Sequence, residues 1–416
     1  MHYIIVNDYD YVQGGATKVA IQTANVLYDK GYNVIFFCGV SNPLKSILNK
    51  KIKVISCNQQ DFLNQNIIKG ALKGLNNREV YKKFNAVLNQ INDDIIVHIH
   101  GWTKVLSSSF IRGIKKRSNV KVVLTLHDFF TVCPNGGFFN YKKNTICKKK
   151  PMSISCLCSN CDSRNYLIKL YRVNRTFYQN KINKFLKNID LFISISQLQY
   201  DILSPFLNKE KIELVYNPTS IPKKRNERII AEASNQYLFV GRVTKDKGID
   251  LLCEYFSHSN EILNIVGTGE LENELKQKYK DFSNIIFNGW KTQDEVYEYM
   301  MNSRAIFIPS VYYEGAPLAV FEALSFGLPI AVSNLCAGKN FVDENSGCLF
   351  NPYNKDEFLD ILNNFKNDDF ISKMSEYSFK KYWDNPFDER RYINSLINAY
   401  SKIIKRSELY GYQCNN

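Results

Sequence analysis

The stretch "SVYYEGAPLAVFEALSFGLPI" (residues 310–330) holds two acids, Glu314 and Glu322, in an otherwise apolar, small-residue segment. A buried carboxylate without a partner is unfavourable, so both glutamates need a reason to be there. Pro317 suits the first turn of a helix, and Gly327 ends that helix before the next strand. The pattern therefore predicts a loop at Glu314 and an inward-facing helix position for Glu322.

The backbone at Gly315 and Ala316 lies at the start of this predicted helix. Free N–H groups and the positive end of the helix dipole suit an anion such as phosphate. With a carboxylate on either side to accept hydrogen bonds from sugar hydroxyls, the segment favours a site for a phosphorylated sugar. The alternative interpretation is structural, with Glu314 an ordinary turn acid and Glu322 a solvated helix residue.

Strand-like apolar runs occur in two series along the chain. Most are continuous rather than alternating, which is typical of strands buried on both faces of a parallel sheet, and helical patterns separate them. The runs are residues 2–7, 33–39, 53–57, 95–101, 121–127 and 191–196, then 236–241, 262–267, 284–289, 305–310 and 328–333. This order predicts an α/β protein with two doubly wound units in tandem.

A chain of 416 residues is expected to form two domains, because single cores stop growing near ~250–300 residues. We predict a first Rossmann-like domain over residues 1–217 and a second over residues 218–390. The proline-containing segment 217–236 is predicted to join the two domains. Residues 391–416 are predicted to form an amphipathic helix that could pack back on the first domain.

Charge is sorted between the two halves. Residues 1–220 contain 31 Lys+Arg and 13 Asp+Glu, a net charge of +18, and the remaining residues contain 23 and 27, a net charge of −4. This asymmetry suits a nucleic acid or an anionic membrane surface. No run approaches the ~20 apolar residues of a membrane span, and the start lacks the order of a signal peptide. We therefore expect a cytoplasmic protein, either free or peripheral at the inner face of the membrane.

Cations and glycines follow several strands of the second series. The string "GRVTKDKG" puts Arg242 and Lys247 at a strand's carboxyl end, where open α/β sheets bind ligands. Arginine suits a phosphate because its planar fork can donate two hydrogen bonds. The string "IVGTGEL" adds a turn at Gly267, and "FNGW" ends on Trp290, whose ring could cover another ring.

In this order and spacing, these motifs and the 310–330 stretch resemble the C-terminal donor domain of retaining glycosyltransferases of family 4, which have the two-Rossmann GT-B fold. The resemblance covers residues 236–350 closely and residues 1–220 more loosely, through "GGAT", "HIHGW", "LHD" and "VYNP". It implies transfer of a sugar from a nucleotide-sugar to a saccharide or lipid-linked acceptor. The implied setting is assembly of bacterial capsule, lipopolysaccharide or another surface polysaccharide.

The resemblance also implies a role for each matching residue. Arg242 and Lys247 would neutralise the donor diphosphate, so no catalytic metal is expected. Glu322 would hold the ribose hydroxyls, Glu314 would contact the donor sugar, and His127 would lie near the reacting carbon. The other implied donor contacts are Gly14, Gly15, Gly267, Trp290, Gly315, Ala316, Pro317 and Leu318.

A cysteine-rich insertion over residues 133–161 departs from the family pattern and carries five of the eleven cysteines. Its Cys158-x-x-Cys161 spacing is that of a zinc knuckle, and structural zinc takes four such ligands. Lysines 148–150 would help to stabilise thiolates. The predicted zinc ligands are Cys133, Cys147, Cys156 and Cys161. Cys158 is an open alternative to Cys156, and disulfides or unligated thiols are the other interpretations.

Two further functions stay open at this point. One is a nucleotide-sugar epimerase built on the same two-domain scaffold. The other is a nucleic-acid-binding protein that uses the basic domain and a zinc knuckle. No RNP-, KH- or helix-turn-helix-like motif occurs in the sequence, so we expect no nucleic-acid partner.

Overall fold

The computed structural model of the chain describes residues 1–114, 117–219, 221 and 227–413. In chain order the strands are β1 (His2–Tyr9), β2 (Asn33–Val40), β3 (Lys53–Ser56), β4 (Ile95–Ile99), β5 (Val120–Leu126), β6 (Phe139–Asn140), β7 (Thr145–Ile146), β8 (Leu191–Ser194), β9 (Ile212–Leu214), β10 (Gln236–Val240), β11 (Ile262–Val266), β12 (Ile285–Gly289), β13 (Ala305–Ile308), β14 (Ile330–Ser333) and β15 (Gly347–Phe350).

The α-helices surround these strands. They are α1 (Gly15–Asp29), α2 (Ile67–Leu75), α3 (Arg78–Asn89), α4 (Ile154–Leu157), α5 (Tyr166–Phe177), α6 (Gln197–Leu203), α7 (Ile249–Phe256), α8 (Glu272–Lys278), α9 (Gln293–Met301), α10 (Leu318–Phe326), α11 (Lys355–Asn364), α12 (Asp368–Asp384) and α13 (Glu389–Gln413).

Two parallel sheets confirm the predicted fold class. The first has the order β3-β2-β1-β4-β5-β8-β9 and the second the order β12-β11-β10-β13-β14-β15. In each sheet the first strand lies inside and the chain winds outward in both directions. Because all strands of a sheet are parallel, their carboxyl ends meet at one edge, and ligands of such sheets bind there.

Continuous apolar sequence explains why the strands are buried on both faces. In β1 every residue after His2 is buried, and Val6 aligns with Phe37 of β2 and Ile99 of β4. One apolar cluster fills the second domain, and two others lie on the two faces of the first sheet.

The C-terminal helix α13 packs on the first sheet, although it follows the second domain in sequence. Leu396 is fully buried in the apolar cluster that also contains residues of β1 and α1. The Tyr392 hydroxyl lies 2.6 Å from the Thr23 hydroxyl, and the Tyr400 hydroxyl lies 2.7 Å from His98 Nδ1. The helix therefore joins the end of the chain to its beginning.

Within its described residues, the structure contains all eleven predicted strands and adds four short ones. Two of the additions, β9 and β15, are edge strands of three and four residues, too short and too mixed in polarity to stand out in the sequence. Residues 220 and 222–226 of the predicted join, and residues 414–416 of the predicted last helix, lie outside the described residues. Among the described residues, no helix combines the length and apolar character of a membrane span.

Candidate active site

Lys247 and Glu314 form a direct ion pair at the carboxyl edge of the second sheet. Lys247 Nζ contacts one oxygen of Glu314, and the Ser310 hydroxyl donates to the other. Only 9% of Glu314 is exposed. Burial alone would lower the pKa of Lys247, but Glu314 and the Tyr312 ring outweigh burial and raise it. Lys247 is therefore held in its protonated form, and its contact with Glu314 is largely shielded from water.

Beside this pair, the backbone at Gly248 lies very close to the end of strand β13. Gly248 has a φ of +71°, and a Cβ there would collide with the carbonyl oxygen of Pro309. Only glycine lets the loop that carries Lys247 approach the strand end so closely. Arg242, on the same loop, pairs with Asp246 at 3.1 Å, yet two thirds of its side chain is exposed. Arg242 is thus available to a ligand.

Glu322 lies on α10, and its half-buried carboxylate faces the other domain. Burial raises the pKa of Glu322, while Lys18 of α1 and a 3.1 Å hydrogen bond from Gln293 Nε2 oppose that rise. Lys18 belongs to the first domain, so the two domains meet across Glu322. The helix starts at Leu318, one residue after the predicted position, with Pro317 as its N-cap. Among the described groups, no side chain caps its first N–H groups.

The opposite wall is formed by the first domain. Gly14 and Gly15 open α1, and a Cβ at either position would meet no described atom within 4 Å. Gly315 lies against Gln199, whose Nε2 is 3.6 Å from the place a Gly315 Cβ would take. That amide nitrogen is buried, and no hydrogen-bond partner for it occurs among the described residues. Gln199 is therefore a candidate ligand donor that the sequence did not indicate.

Three histidines line up beneath the same cleft. His100 Nδ1 lies 2.9 Å from His127 Nε2, and the His98 Nε2 atom lies 2.7 Å from the Thr125 hydroxyl. Burial lowers the pKa of His127 to about 4 and that of His98 to about 3. All three rings are accordingly neutral near pH 7, and His100 orients His127.

Contacts between the loops bring His127 and Glu314 to the same region. The ring of Phe129, two residues after His127, lies 6.5 Å from the ring of Tyr313, next to Glu314. The structure thus places the loop that follows His127 beside the loop that carries Glu314. Trp290 is 71% exposed. The nucleotide-binding and catalytic roles of these residues stay predictions.

The cysteine-rich insertion gathers thiols around a lysine. Cys133, Cys156 and Cys161 are buried, and Lys169 Nζ lies 3.5 Å from Cys156 Sγ. Burial would lower the pKa of Lys169, but the thiols of Cys161, Cys156 and Cys133 raise it. Cys158 is exposed. Lysines 148–150 are exposed as well, so the cation that meets the thiols is Lys169 and not these three.

The predicted zinc ligands are not arranged as a finished site. In the part of the chain that the structure describes, no group of three or more His, Cys, Asp or Glu side chains is positioned to hold a metal ion. Cys147 is only half-buried. Zinc at Cys133, Cys147, Cys156 and Cys161 therefore stays a prediction.

Two family models match this sequence. The model described as "Glycosyltransferase Family 4" matches residues 13–221, half of the 416-residue chain. The model described as "Glycosyl transferases group 1" matches residues 220–381.

Curated relatives include bacterial glycosyltransferases. O-antigen chain mannosyltransferase C of Escherichia coli is 22% identical over 55% of this chain and 65% of its own length. UDP-Gal:alpha-D-GlcNAc-diphosphoundecaprenol alpha-1,3-galactosyltransferase of Escherichia coli is 30% identical over 53% of this chain and 59% of its own length. The chain thus spans less than two thirds of these two relatives. An uncharacterised glycosyltransferase of Haemophilus influenzae is 25% identical over 88% of this chain and 90% of its own.

Solved structures share the two-domain architecture. Sucrose-phosphate synthase from Thermosynechococcus elongatus superposes with a TM-score of 0.72 at 16% identity, covering 97% of this chain and 99% of its own. Anabaena HepE in complex with UDP and glucose gives a TM-score of 0.67 at 15% identity, covering 97% of this chain and 100% of its own. At such identities the likeness establishes the fold alone, and that fold is GT-B.

Proposed function

The chain belongs to glycosyltransferase family 4, and from that membership we propose that it moves a sugar from a nucleotide-sugar to an acceptor hydroxyl with retention of the anomeric configuration. The observation that carries this proposal is the shielded pair of Lys247 and Glu314 at the cleft. One partner supplies a cation for a departing diphosphate, and the other accepts hydrogen bonds from sugar hydroxyls. A nucleotide-sugar presents both groups side by side.

In the proposed reaction, Lys247 and Glu314 exchange each other for groups of the bound donor. In the structure Lys247 and Glu314 pair with each other, since a buried charge is stable only when it is paired. On donor binding, Lys247 and the exposed Arg242 turn to the diphosphate, and Glu314 turns to the sugar. Glu322 takes the ribose hydroxyls, and the uncapped start of α10 faces the phosphates.

The reaction breaks the bond between the anomeric carbon and the diphosphate oxygen and joins that carbon to the acceptor oxygen. The acceptor attacks from the face that the diphosphate leaves, and its proton passes to an oxygen of the departing phosphate. Rate enhancement then rests on positioning and on charge stabilisation by Arg242 and Lys247, without a catalytic metal. His127, neutral near pH 7, offers one hydrogen bond beside the reacting carbon.

The names of the relatives support a setting for this reaction. One relative is an O-antigen mannosyltransferase, and another is named for a diphosphoundecaprenol-linked saccharide. We therefore propose that the acceptor is a lipid-linked saccharide in the assembly of a bacterial surface polysaccharide.

Nucleotide-dependent stabilisation tests the donor site. We expect one of UDP, GDP and ADP to raise the melting temperature, because a ligand at about 100 times its Kd stabilises the folded state by roughly 2.7 kcal/mol. Glu322→Ala should weaken that nucleotide by ~1–3 kcal/mol, since two ribose hydroxyls lose their acceptor. The matched control is Glu298→Ala, an exposed glutamate of α9.

Three results would contradict the proposal. Stabilisation by none of the nucleotides would remove the donor site, and unchanged affinity in Glu322→Ala would remove Glu322 from it. NMR of the product with the opposite anomeric configuration would exclude retention.

A further inference from the structure

Helix α5 exposes several large apolar side chains to solvent, while two of its polar side chains are buried. Leu167 is 75% exposed, whereas Lys169 and Thr176 are buried. The exposed apolar side chains of this helix are Tyr166, Leu167, Leu170 and Phe177. Their spacing places them on one face of the helix. A helix on the surface of a protein in water normally shows the reverse arrangement.

Helix α2 shows the same inversion. Its buried residues are Gly70 and Gly74, which press against neighbouring backbone and side-chain atoms and leave no room for a Cβ. Ile68 and Leu72, one turn apart on the opposite side, are 72% and 63% exposed. The glycines thus let this helix lie flat on the domain while its large apolar side chains point outward.

The two helices and the short helix α4 form one continuous surface. The Tyr171 hydroxyl of α5 donates to the Ala71 carbonyl oxygen of α2 at 3.3 Å. The Tyr166 hydroxyl donates to the Leu157 carbonyl oxygen of α4 at 2.9 Å, and Ile154 of α4 is 81% exposed. We call the exposed apolar side chains of α2, α4 and α5 the apolar face.

Cations surround the apolar face. Residues 147–184 contain nine Lys or Arg, of which Lys169 is buried and Arg172 pairs with the one acid, Asp162. Asp162 is fully buried and lies 3.1 Å from Arg172, so it presents no negative charge to a partner. The exposed lysines 148–150 precede α4, and exposed Lys69 lies on α2. A partner of this surface therefore has to be apolar at its centre and negative around it.

We propose that the apolar face docks on the surface of an anionic phospholipid bilayer. Large apolar side chains enter the boundary between headgroups and acyl chains, and lysines beside them bind anionic lipid headgroups. A protein partner would satisfy the apolar centre, but a rim that is mostly cationic, with the exposed Glu79 paired to Lys73 of α2, matches a uniformly anionic plane better. The proposal concerns a surface of the first domain away from Lys247 and Glu314, and it does not rest on the proposed reaction.

Vesicle flotation of the full chain tests this surface. We expect the protein to float with vesicles of phosphatidylglycerol and phosphatidylcholine and to bind pure phosphatidylcholine more weakly. Ile68→Glu combined with Leu167→Glu should lower the partition coefficient by on the order of tenfold or more, because it puts two charges among the headgroups. The control is Ile230→Glu, which replaces an isoleucine of the second domain that is 68% exposed.

Each outcome decides the proposal. Loss of vesicle binding in the double variant, with the melting temperature of the wild type retained, would support it. Equal binding by wild type and double variant, or no binding of wild type to anionic vesicles, would overturn it. Self-association that the double variant abolishes, without vesicle binding, would assign the apolar face to a second copy of the chain and overturn it as well.

Discussion

Single side chains explain why two acids occur in the apolar 310–330 stretch. Glu314 is tolerated because Lys247 and Ser310 occupy both of its oxygens. Glu322 is tolerated because Gln293 and Lys18 favour its ionised form against the effect of burial. Both carboxylates are partnered through contacts that a ligand can replace, so the stretch combines stability with a capacity to bind.

Arg242→Ala and Lys247→Ala test the proposed charge stabilisation. Each should reduce turnover more than it reduces binding of the free nucleoside diphosphate, because negative charge builds up on the leaving group during transfer. Lys247→Ala should also weaken the fold by roughly 3–5 kcal/mol, since Glu314 would lose its buried partner. Steady-state kinetics and calorimetric nucleotide titration separate the two effects. Equal losses in turnover and in affinity would mean that both cations bind the diphosphate in the ground state and give no additional stabilisation to the transition state.

At the level of elements, the cysteine-rich insertion of the first domain also contacts the second domain. The hairpin of β6 and β7 reaches the second domain, where the Tyr353 hydroxyl donates to the Asn144 carbonyl oxygen at 2.7 Å. Tyr141 of the same hairpin is close enough to Asp246 and Arg242 for their charges to shift its pKa, which burial already raises. The Asn135 amide holds the base of this hairpin by donating to the Phe139 carbonyl oxygen at 2.7 Å and to the Cys161 carbonyl oxygen at 3.1 Å.

Metal content tests the zinc prediction for the insertion. The sequence prediction requires about one zinc per chain, and the four cysteines would have to rearrange to bind it, because among the described residues no group of three or more such side chains is positioned to hold a metal ion. Cys156→Ser should lose the metal, whereas Cys158→Ser, at an exposed position two residues later, should keep it. Elemental analysis and thiol titration measure both. Absence of metal, with all five thiols of the insertion titratable in the native protein, would leave a thiol–lysine cluster without zinc.

For the whole molecule, the returning helix α13 makes the fold depend on contacts between distant parts of the chain. Tyr400 of that helix bonds to His98 in the centre of the first sheet, 302 residues earlier. His98 in turn contacts the Thr125 hydroxyl of β5. The stability of the first domain therefore depends on residues at the C-terminal end.

Acidification should weaken the folded state through its buried histidines. Burial lowers the pKa of His98 to about 3 and that of His100 well below its usual value. The unfolded chain protonates both near pH ~6.5, so it binds more protons than the folded chain below that pH. The free energy of unfolding should then fall as pH decreases, by up to ~1.4 kcal/mol per pH unit for each histidine.

Urea unfolding at pH 7 and pH 5 measures this slope. His98→Gln should make the free energy of unfolding less dependent on pH, because about one proton fewer is taken up on unfolding. This holds whatever the substitution does to stability at pH 7. His258→Gln, which changes an exposed histidine, is the matched control for the loss of one imidazole. An unchanged slope in His98→Gln would mean that another group controls the acid response.

The amino-acid sequence alone was enough for the fold class and for the edge of the sheet where the site lies. Runs of buried apolar residues, and glycines and prolines between them, act over a few neighbours, so they can be read without the fold. Parallel strands then require their carboxyl ends to meet, which places Arg242, Lys247 and Glu314 together. The short edge strands β9 and β15 lack such a local signal.

Tertiary structure decided the features that depend on partners far apart in the chain. Lys247 and Glu314 pair across 67 residues, and Gln199 comes from the other domain to face Gly315. The burial of Lys169 and the outward turn of the apolar residues on α2 and α5 reverse what their local pattern suggests. Periodicity shows that a helix has two faces, but only packing against the rest of the molecule determines which face is turned to the interior.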